Sequence, residues 1–186
     1  MQRSFKVNPG GRLTGRIRVP GDKSISHRSI MLGAIADGIT EVSGFLEGAD
    51  AISTMNVFRA LGVQIEGPNS GGVRVTGVGR DGLRGVDFPL DCGNAGTAMR
   101  LLMGLLCGQP FKSTLIGDES LSRRPMKRVA EPLGRMGARI ETHGGAPPVV
   151  ISPADRLSAI GYVMPMASAQ VKSAILLAGL YAKGTT

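Results

Sequence analysis

At 186 residues, 42% of them hydrophobic, the chain can bury a core of its own and is too apolar for a disordered polymer. Its 28 glycines, about twice average usage, follow no Gly-X-Y period, which excludes collagen and points instead to tight turns and close backbone approaches. A net charge of +8 calls for an anionic partner, but the Lys and Arg residues are scattered and the aromatics number two Tyr, five Phe and no Trp, so a small multiply charged anion fits better than nucleic acid.

The N-terminus, MQRSFKVNPG, has no apolar core of the kind a secretory leader carries, and no stretch of 18 apolar residues follows. Cys92 and Cys107 match no metal spacing, and with His27 and His143 as the only histidines a zinc site is not expected. Both cysteines read as small buried residues. These features point to a cytoplasmic protein.

The first predicted helix runs from Ser24 to Ala36 and opens on Pro20-Gly21-Asp22-Lys23-Ser24-Ile25-Ser26-His27-Arg28. A helix start exposes unpaired backbone N–H groups and the positive end of the macrodipole. Lys23 and Arg28 add cations there, and Ser24 is expected to cap the helix and donate a hydroxyl. The spacing is not that of a Walker loop. A capped helix with solvated basic residues is the plain alternative, and His27 reads as structural rather than catalytic. A strand is expected over Ile39–Phe45 (ITEVSGF).

Asp50–Glu66 (DAISTMNVFRALGVQIE) reads as an amphipathic helix, a glycine stop at Gly62 and a short strand; Gly72–Thr76 (GVRVT) adds another strand. The next polar turn, Asp91-Cys92-Gly93-Asn94-Ala95-Gly96, opens a strongly apolar helix over Gly96–Cys107, followed by a strand at Phe111–Ile116. Gly93 and Gly96 permit a close backbone approach, and Asn94 can cap or donate. Taken alone this is an ordinary glycine-rich turn. Asp118-Glu119 reads as a loop or capping feature.

Pro125–Glu141 (PMKRVAEPLGRMGARIE) then repeats the layout of Asp50–Glu66, with Leu61-Gly62 matched by Met136-Gly137 and Ile65-Glu66 by Ile140-Glu141. Pro125 suits a first helical turn and Pro132 should kink the helix. A strand at Val149–Ser152 closes the second copy. Ser168-Ala169-Gln170 opens a third apolar helix, predicted to reach Ala182. The unit is therefore helix–strand–helix–strand–strand over about 70 residues. The third copy reaches only its first helix, so the chain reads as cut inside a repeat. Three polar helix starts brought to one point, together with Lys23, Arg28 and Ser122-Arg123-Arg124, would suit a ligand bearing phosphate and carboxylate.

Four segments in order, PGDKSISHR (Pro20–Arg28), GNAGTAMRLL (Gly93–Leu102), SRRPM (Ser122–Met126) and ASAQVKSAILLAGL (Ala167–Leu180), resemble those of EPSP synthases, the 3-phosphoshikimate 1-carboxyvinyltransferases, and they span essentially the whole chain. The resemblance implies an α+β fold of βαβαββ-type repeats around a pseudo-threefold axis, an inside-out α/β barrel. Residues 1–19 would be first strands belonging to the other domain, and residues 20–186 an incomplete substrate-binding domain of about two and a half repeats. It implies transfer of the enolpyruvyl group of phosphoenolpyruvate to the 5-hydroxyl of shikimate 3-phosphate, in aromatic amino acid biosynthesis, with no metal or organic cofactor.

By the same resemblance Lys23, Ser24, Arg28, Ser168, Ala169 and Gln170 would hold shikimate 3-phosphate. Lys23, Asn94, Gly96 and Arg124 would hold phosphoenolpyruvate, where the herbicide glyphosate also binds, and Lys23 would orient the substrates. Gly96 is the small residue associated with glyphosate sensitivity. The family's acid–base residues lie in a C-terminal half that this sequence does not include, so the chain alone is expected to be inactive and to need that half as partner. UDP-N-acetylglucosamine enolpyruvyl transferases share fold and donor, but their substrate loop differs from KSISHR and SAQ. A non-catalytic anion-binding module is the alternative from another class.

Overall fold

The computed structural model describes residues 4–186. Residues 4–22 contain no helix or strand, and Phe5, Val7, Leu13, Ile17 and Val19 stand exposed along them. The strands expected over 1–19 therefore fall partly outside the described residues and partly on an exposed segment without helix or strand.

Regular structure begins at Lys23, and the first repeat comprises α1 (Lys23–Ile35), β1 (Asp37–Val42), α2 (Ala49–Ala60), β2 (Gln64–Asn69) and β3 (Gly72–Val78). The second adds a short leading strand: β4 (Leu90–Asp91), α3 (Gly96–Leu106), β5 (Ser113–Ile116), a 3-10 turn at Leu121–Arg123, α4 (Lys127–Arg135), β6 (Arg139–His143) and β7 (Ala146–Ser152). Then come β8 (Leu157–Ser158), α5 (Ala169–Gly179) and β9 (Ala182–Lys183). The helix–strand–helix–strand–strand order expected from the repeat is present in both full copies.

The copies also share topology. In the first sheet the order is β1-β3-β2 and in the second β5-β7-β6, all antiparallel, with β4 added parallel to β5. Parallel neighbours need a crossover, and α3 supplies it; α5 does the same between the parallel pair β8 and β9. The glycines that end the α2 and α4 segments explain why the repeat was visible. Gly62 and Gly137 both take the left-handed conformation (φ +90° and +97°) that lets the chain leave the helix and turn into β2 and β6.

The three helices opened by the polar turns pack side by side. Thr97 meets Gln170 at one end of α3 and α5, Gly104 lies against the Ala174 backbone midway, and Gly108 abuts Tyr181 at the far end, so the two run in the same direction. Arg28 of α1 reaches Ser173 of α5, and Met31, Leu32, Leu101, Leu176 and Leu180 line a groove of 250 Å³ beyond it. Parallel packing places the three N-termini, and hence their positive dipole ends, on one side. The core beneath is aliphatic: Ile30, Met31, Met55, Phe58, Leu101, Leu102, Leu105 and Leu106 are wholly buried, each contributing about 1.5–3 kcal/mol of transfer free energy.

Some expectations shift. The last helix stops at Gly179, and Ala182 pairs in β9 rather than extending it. Pro125 lies two residues ahead of α4 and Pro132 sits inside it, buried, where its missing N–H forgoes one intrahelical bond.

Candidate functional site

The second polar turn is the best built of the three. Gly93, left-handed at φ +54°, donates its N–H to the Asp91 side-chain carboxylate at 2.8 Å, which shapes the strand-to-helix turn. Asn94 donates its amide to Asp118 Oδ2 at 2.6 Å, and its carbonyl groups accept from Arg124. Arg124 Nη1 reaches the Asn94 backbone oxygen at 3.3 Å, while Nη2 donates to Asn94 Oδ1 and to Ser120 Oγ at 3.2 Å. Asp118 also accepts from the Leu121 N–H at 2.7 Å, capping the 3-10 turn that carries Arg124. That backbone bond, with the Asn94 amide second, holds the Asp118 carboxyl below the usual carboxylate range.

Gly96 opens α3 directly beneath this pair. A Cβ there would lie 3.0 Å from Arg124 Nη1 and 3.1 Å from Arg100 Nη1, so glycine is what leaves the space between two guanidiniums. α3 has no side-chain cap, and of its first amides the Gly96 N–H donates to the Asn94 carbonyl at 2.9 Å.

The third turn joins the second. Ser168 caps α5, its hydroxyl oxygen accepting from the Val171 N–H at 3.3 Å. Gln170 spans to α3: Nε2 donates to Thr97 Oγ1 at 2.9 Å and Oε1 accepts from Arg100 Nη1 at 2.8 Å. Ala169 is exposed at the first position of the helix.

The first turn is looser. The cap of α1 is Asp22, whose carboxylate accepts from the Ile25 N–H at 2.7 Å, and not Ser24 as the sequence suggested. The reason is geometric: the helix begins one residue earlier than expected, leaving Ser24 inside the first turn, exposed and free to donate its hydroxyl. Arg28 donates to Ser173 Oγ at 2.7 Å and to the Ser24 carbonyl at 3.1 Å. Lys23, half-exposed, forms an ion pair with Asp50 at the start of α2. Ser53, one turn further along α2, lies against Gly93, where a Cβ would sit 2.7 Å from its Oγ. Thus the N-terminal turn of α2 links Lys23 to the Asn94 turn.

His27 is wholly buried, with Nδ1 2.7 Å from Thr54 Oγ1. Burial, then the nearby charge of Lys23, lowers its pKa, in keeping with a structural role. Cys92 and Cys107 are free and buried, and burial pushes both thiols up to about 12. Among the described residues no cluster of three or more His, Cys, Asp or Glu could hold a metal ion.

The structure therefore brings Asn94, Gly96, Arg124 and Gln170 into one contact network, with Ser168 at its edge, Arg28 attached through α5 and Lys23 through α2. Sequence reasoning missed Arg100, Thr97 and Asp50, and read Asp118 as a loop or capping feature, which its bond from the Leu121 N–H makes it, without its bond to Asn94. Arg100 had left a signal, a lone charge inside the apolar run TAMRLLMGLL. Thr97 and Asp50 are polar residues in ordinary positions and gave none. A groove of 680 Å³ along the first sheet, lined by Glu41, Ser43, Glu66, Asn69 and Arg74, contains none of the site residues.

Comparison with known proteins adds to this geometry. The family model described as EPSP synthase (3-phosphoshikimate 1-carboxyvinyltransferase) matches residues 7–186. The 3-phosphoshikimate 1-carboxyvinyltransferase of Hydrogenovibrio crunogenus is 64% identical over 183 residues, covering 98% of this chain and 41% of that protein. That of Alkalilimnicola ehrlichii is 63% identical with the same coverage. A solved EPSP synthase from Acinetobacter baumannii superimposes with a TM-score of 0.89 at 58% identity, over 91% of this chain and 39% of that one. The chain thus spans about two fifths of the length of the relatives it matches.

Proposed function

The chain belongs to the EPSP synthase family, and from that premise we propose that it supplies the substrate-binding half-site for enolpyruvyl transfer from phosphoenolpyruvate to the 5-hydroxyl of shikimate 3-phosphate. One observation carries this reading: two parallel helix N-termini and the guanidiniums of Arg124 and Arg100 meet in a single hydrogen-bonded network. Such a place favours a ligand with several negative charges, because fixed donors and dipoles replace its water shell without having to reorganise.

In this assignment Lys23, Ser24, Arg28, Ser168, Ala169 and Gln170 face shikimate 3-phosphate. Asn94, Gly96, Arg124 and again Lys23 face phosphoenolpyruvate. Arg124 presents a planar fork suited to a carboxylate or phosphate. Its Asn94 contacts must then be exchanged for the ligand, while the Asp118 bond keeps Asn94 in place. The 5-hydroxyl, giving up its proton, adds to the phosphate-bearing carbon of the double bond of phosphoenolpyruvate as a proton goes to the methylene. Loss of phosphate and a proton from that tetrahedral adduct restores the double bond. Those proton transfers are assigned to groups in the part of the relatives that this chain does not span, so the 186-residue chain alone is expected to be inactive. Residues 4–19, with apolar side chains exposed, are assigned to pairing with that remainder. Glyphosate is expected to compete beside Gly96, where a methyl group would crowd Arg124. A cytoplasmic location agrees with these substrates, and no described helix is long and apolar enough to cross a membrane.

The test is calorimetric titration of shikimate 3-phosphate into the purified chain, with circular dichroism on the same sample. Saturable binding that Lys23→Ala weakens by about tenfold or more, equivalent to about 1.4 kcal/mol, supports the half-site. A folded chain that binds neither shikimate 3-phosphate nor phosphoenolpyruvate, alone or joined to the remainder, overturns it.

A further inference from the structure

Arg100 has no counterpart in the sequence-derived site, yet it is the most deeply buried cation near it, with 5% of its surface exposed. It lies in the first turns of α3, and no carboxylate pairs with it among the described residues. Its fork is spread over two partners from different parts of the chain: Nη1 donates to Gln170 Oε1 at 2.8 Å and Nη2 to the Pro125 carbonyl at 3.1 Å. Nη1 also faces the Gly96 carbonyl at 3.5 Å, and Nε is buried with no partner. A buried, unpaired guanidinium is costly to keep, and burial together with Arg128 and Arg124 lowers its pKa. That cost is retained for three hydrogen bonds to neutral oxygens.

We propose that Arg100 is a positioning residue that fixes the amide of Gln170 so that its NH2 end, and never its carbonyl end, faces the anion site. The inference rests on reading Gln170 as a contact to a phosphate-bearing ligand. A glutamine amide is nearly symmetric in shape, and its two ends differ in sign. Left free, it could turn either end to the ligand, and an exposed carbonyl oxygen would repel a phosphate. A guanidinium has donors only, so the atom beside Arg100 must be Oε1. Nε2 then bonds Thr97 Oγ1, and because that hydroxyl accepts, its own proton remains available for donation. One buried cation thereby commits both the Gln170 amide and the Thr97 hydroxyl to act as donors. The bond to Pro125 ties the same side chain to the turn that carries Arg124, so the α5 start and the Arg124 turn share one strut. Lysine could not replace it: a single ammonium on a flexible stem does not offer two donors in a fixed fork.

The test uses the 15N-labelled 186-residue chain and two readouts. In the wild type the Gln170 side-chain NH2 should give two well-separated proton resonances and exchange with solvent about tenfold more slowly than an exposed glutamine amide, as one hydrogen bond to each end requires. In Arg100→Met, and in Arg100→Lys should the first variant not fold, the two resonances should move together and the protection should vanish while the fold persists. An unchanged Gln170 amide overturns the proposal. The second readout is shikimate 3-phosphate affinity in a double-variant cycle of Arg100→Met and Gln170→Leu. Each single change should weaken binding by about tenfold, and the pair should be no weaker than the worse single, since both remove one device. Losses that multiply would mean that Arg100 acts independently of Gln170, against the proposal. A wild-type chain that shows the protected amide but binds no ligand would refute the functional reading and leave the positioning role standing.

Discussion

The two complete repeats have the same strand order and the same helix stops, yet their leading helices live in different surroundings. In α3 ten of eleven residues are buried, whereas α1 buries six of thirteen and leaves Ile25 and Leu32 largely exposed. α3 is enclosed by α1, α2, α4 and α5, whereas α1 packs chiefly on α2 and the first sheet and so forms the flank of the helix cluster. Topology is thus a property of each repeat, and burial is a property of its neighbours. The difference extends to the ligand-facing turns. At the flank the cations Lys23 and Arg28 are partly solvated; in the middle Arg100 is enclosed and its hydrogen bonds are fixed.

This contrast can be broken most severely at Gly104. A Cβ there would sit 2.1 Å from the Ala174 carbonyl oxygen and 2.7 Å from its Cα, backbone atoms that cannot rotate away. Gly104→Ala should cost about 3 kcal/mol and lower the melting temperature by about 6–12 °C. A loss under about 1 kcal/mol would show that α3 and α5 are less tightly joined than described.

Acid should act next, through His27 at the flank. The buried ring is neutral in the native state, whereas the unfolded chain takes up a proton near the ordinary value of about 6.5. Its contribution to stability is therefore complete above that value and is lost as pH falls through it. Urea midpoints at pH 7.5 and pH 5 should diverge more in the wild type than in His27→Gln, and equal divergence would remove His27 from the account.

A smaller effect is expected at Gly33 in α1. The added methyl group would meet only the Thr40 side chain, at 3.1–3.4 Å, which can yield, and alanine favours a helix by about 1 kcal/mol over glycine. Gly33→Ala should change stability by less than about 1 kcal/mol in either direction. If it costs as much as Gly104→Ala, the distinction between flanking and central helices fails. Least of all should change on adding an alkylating reagent to the native chain at pH 8. Cys92 and Cys107, their thiols pushed up to about 12, should remain unmodified until denaturant exposes them. Rapid modification of the native chain would mean that one of them is less enclosed than it is here.

Much of the architecture was legible because local signals and the repeat agreed. The polar turn before each apolar run located α1, α3 and α5 to within a residue at their starts, and the two glycine stops located β2 and β6. The two-residue strands β4, β8 and β9 were not legible, since a pair of residues has no period and exists only where a partner strand lies alongside. The sequence pointed to Ser24 as the cap of α1, and the start of the helix at Lys23 moved that role to Asp22.

Of the candidate site, the sequence alone determined the residue types and their order: cations and small polar residues at three helix starts, glycine where a side chain would intrude, and a family resemblance carried on four contiguous segments. Contiguous motifs survive in one dimension because each is a local backbone need. The pairing of charges was decided by tertiary structure only. Lys23 meets Asp50, Asn94 meets Arg124 and Asp118, and Arg100 crosses 70 residues of chain to hold Gln170. Such partners are chosen by which helices pack in parallel and how closely a glycine lets them approach, and neither distance nor burial is written in the spacing of the residues concerned.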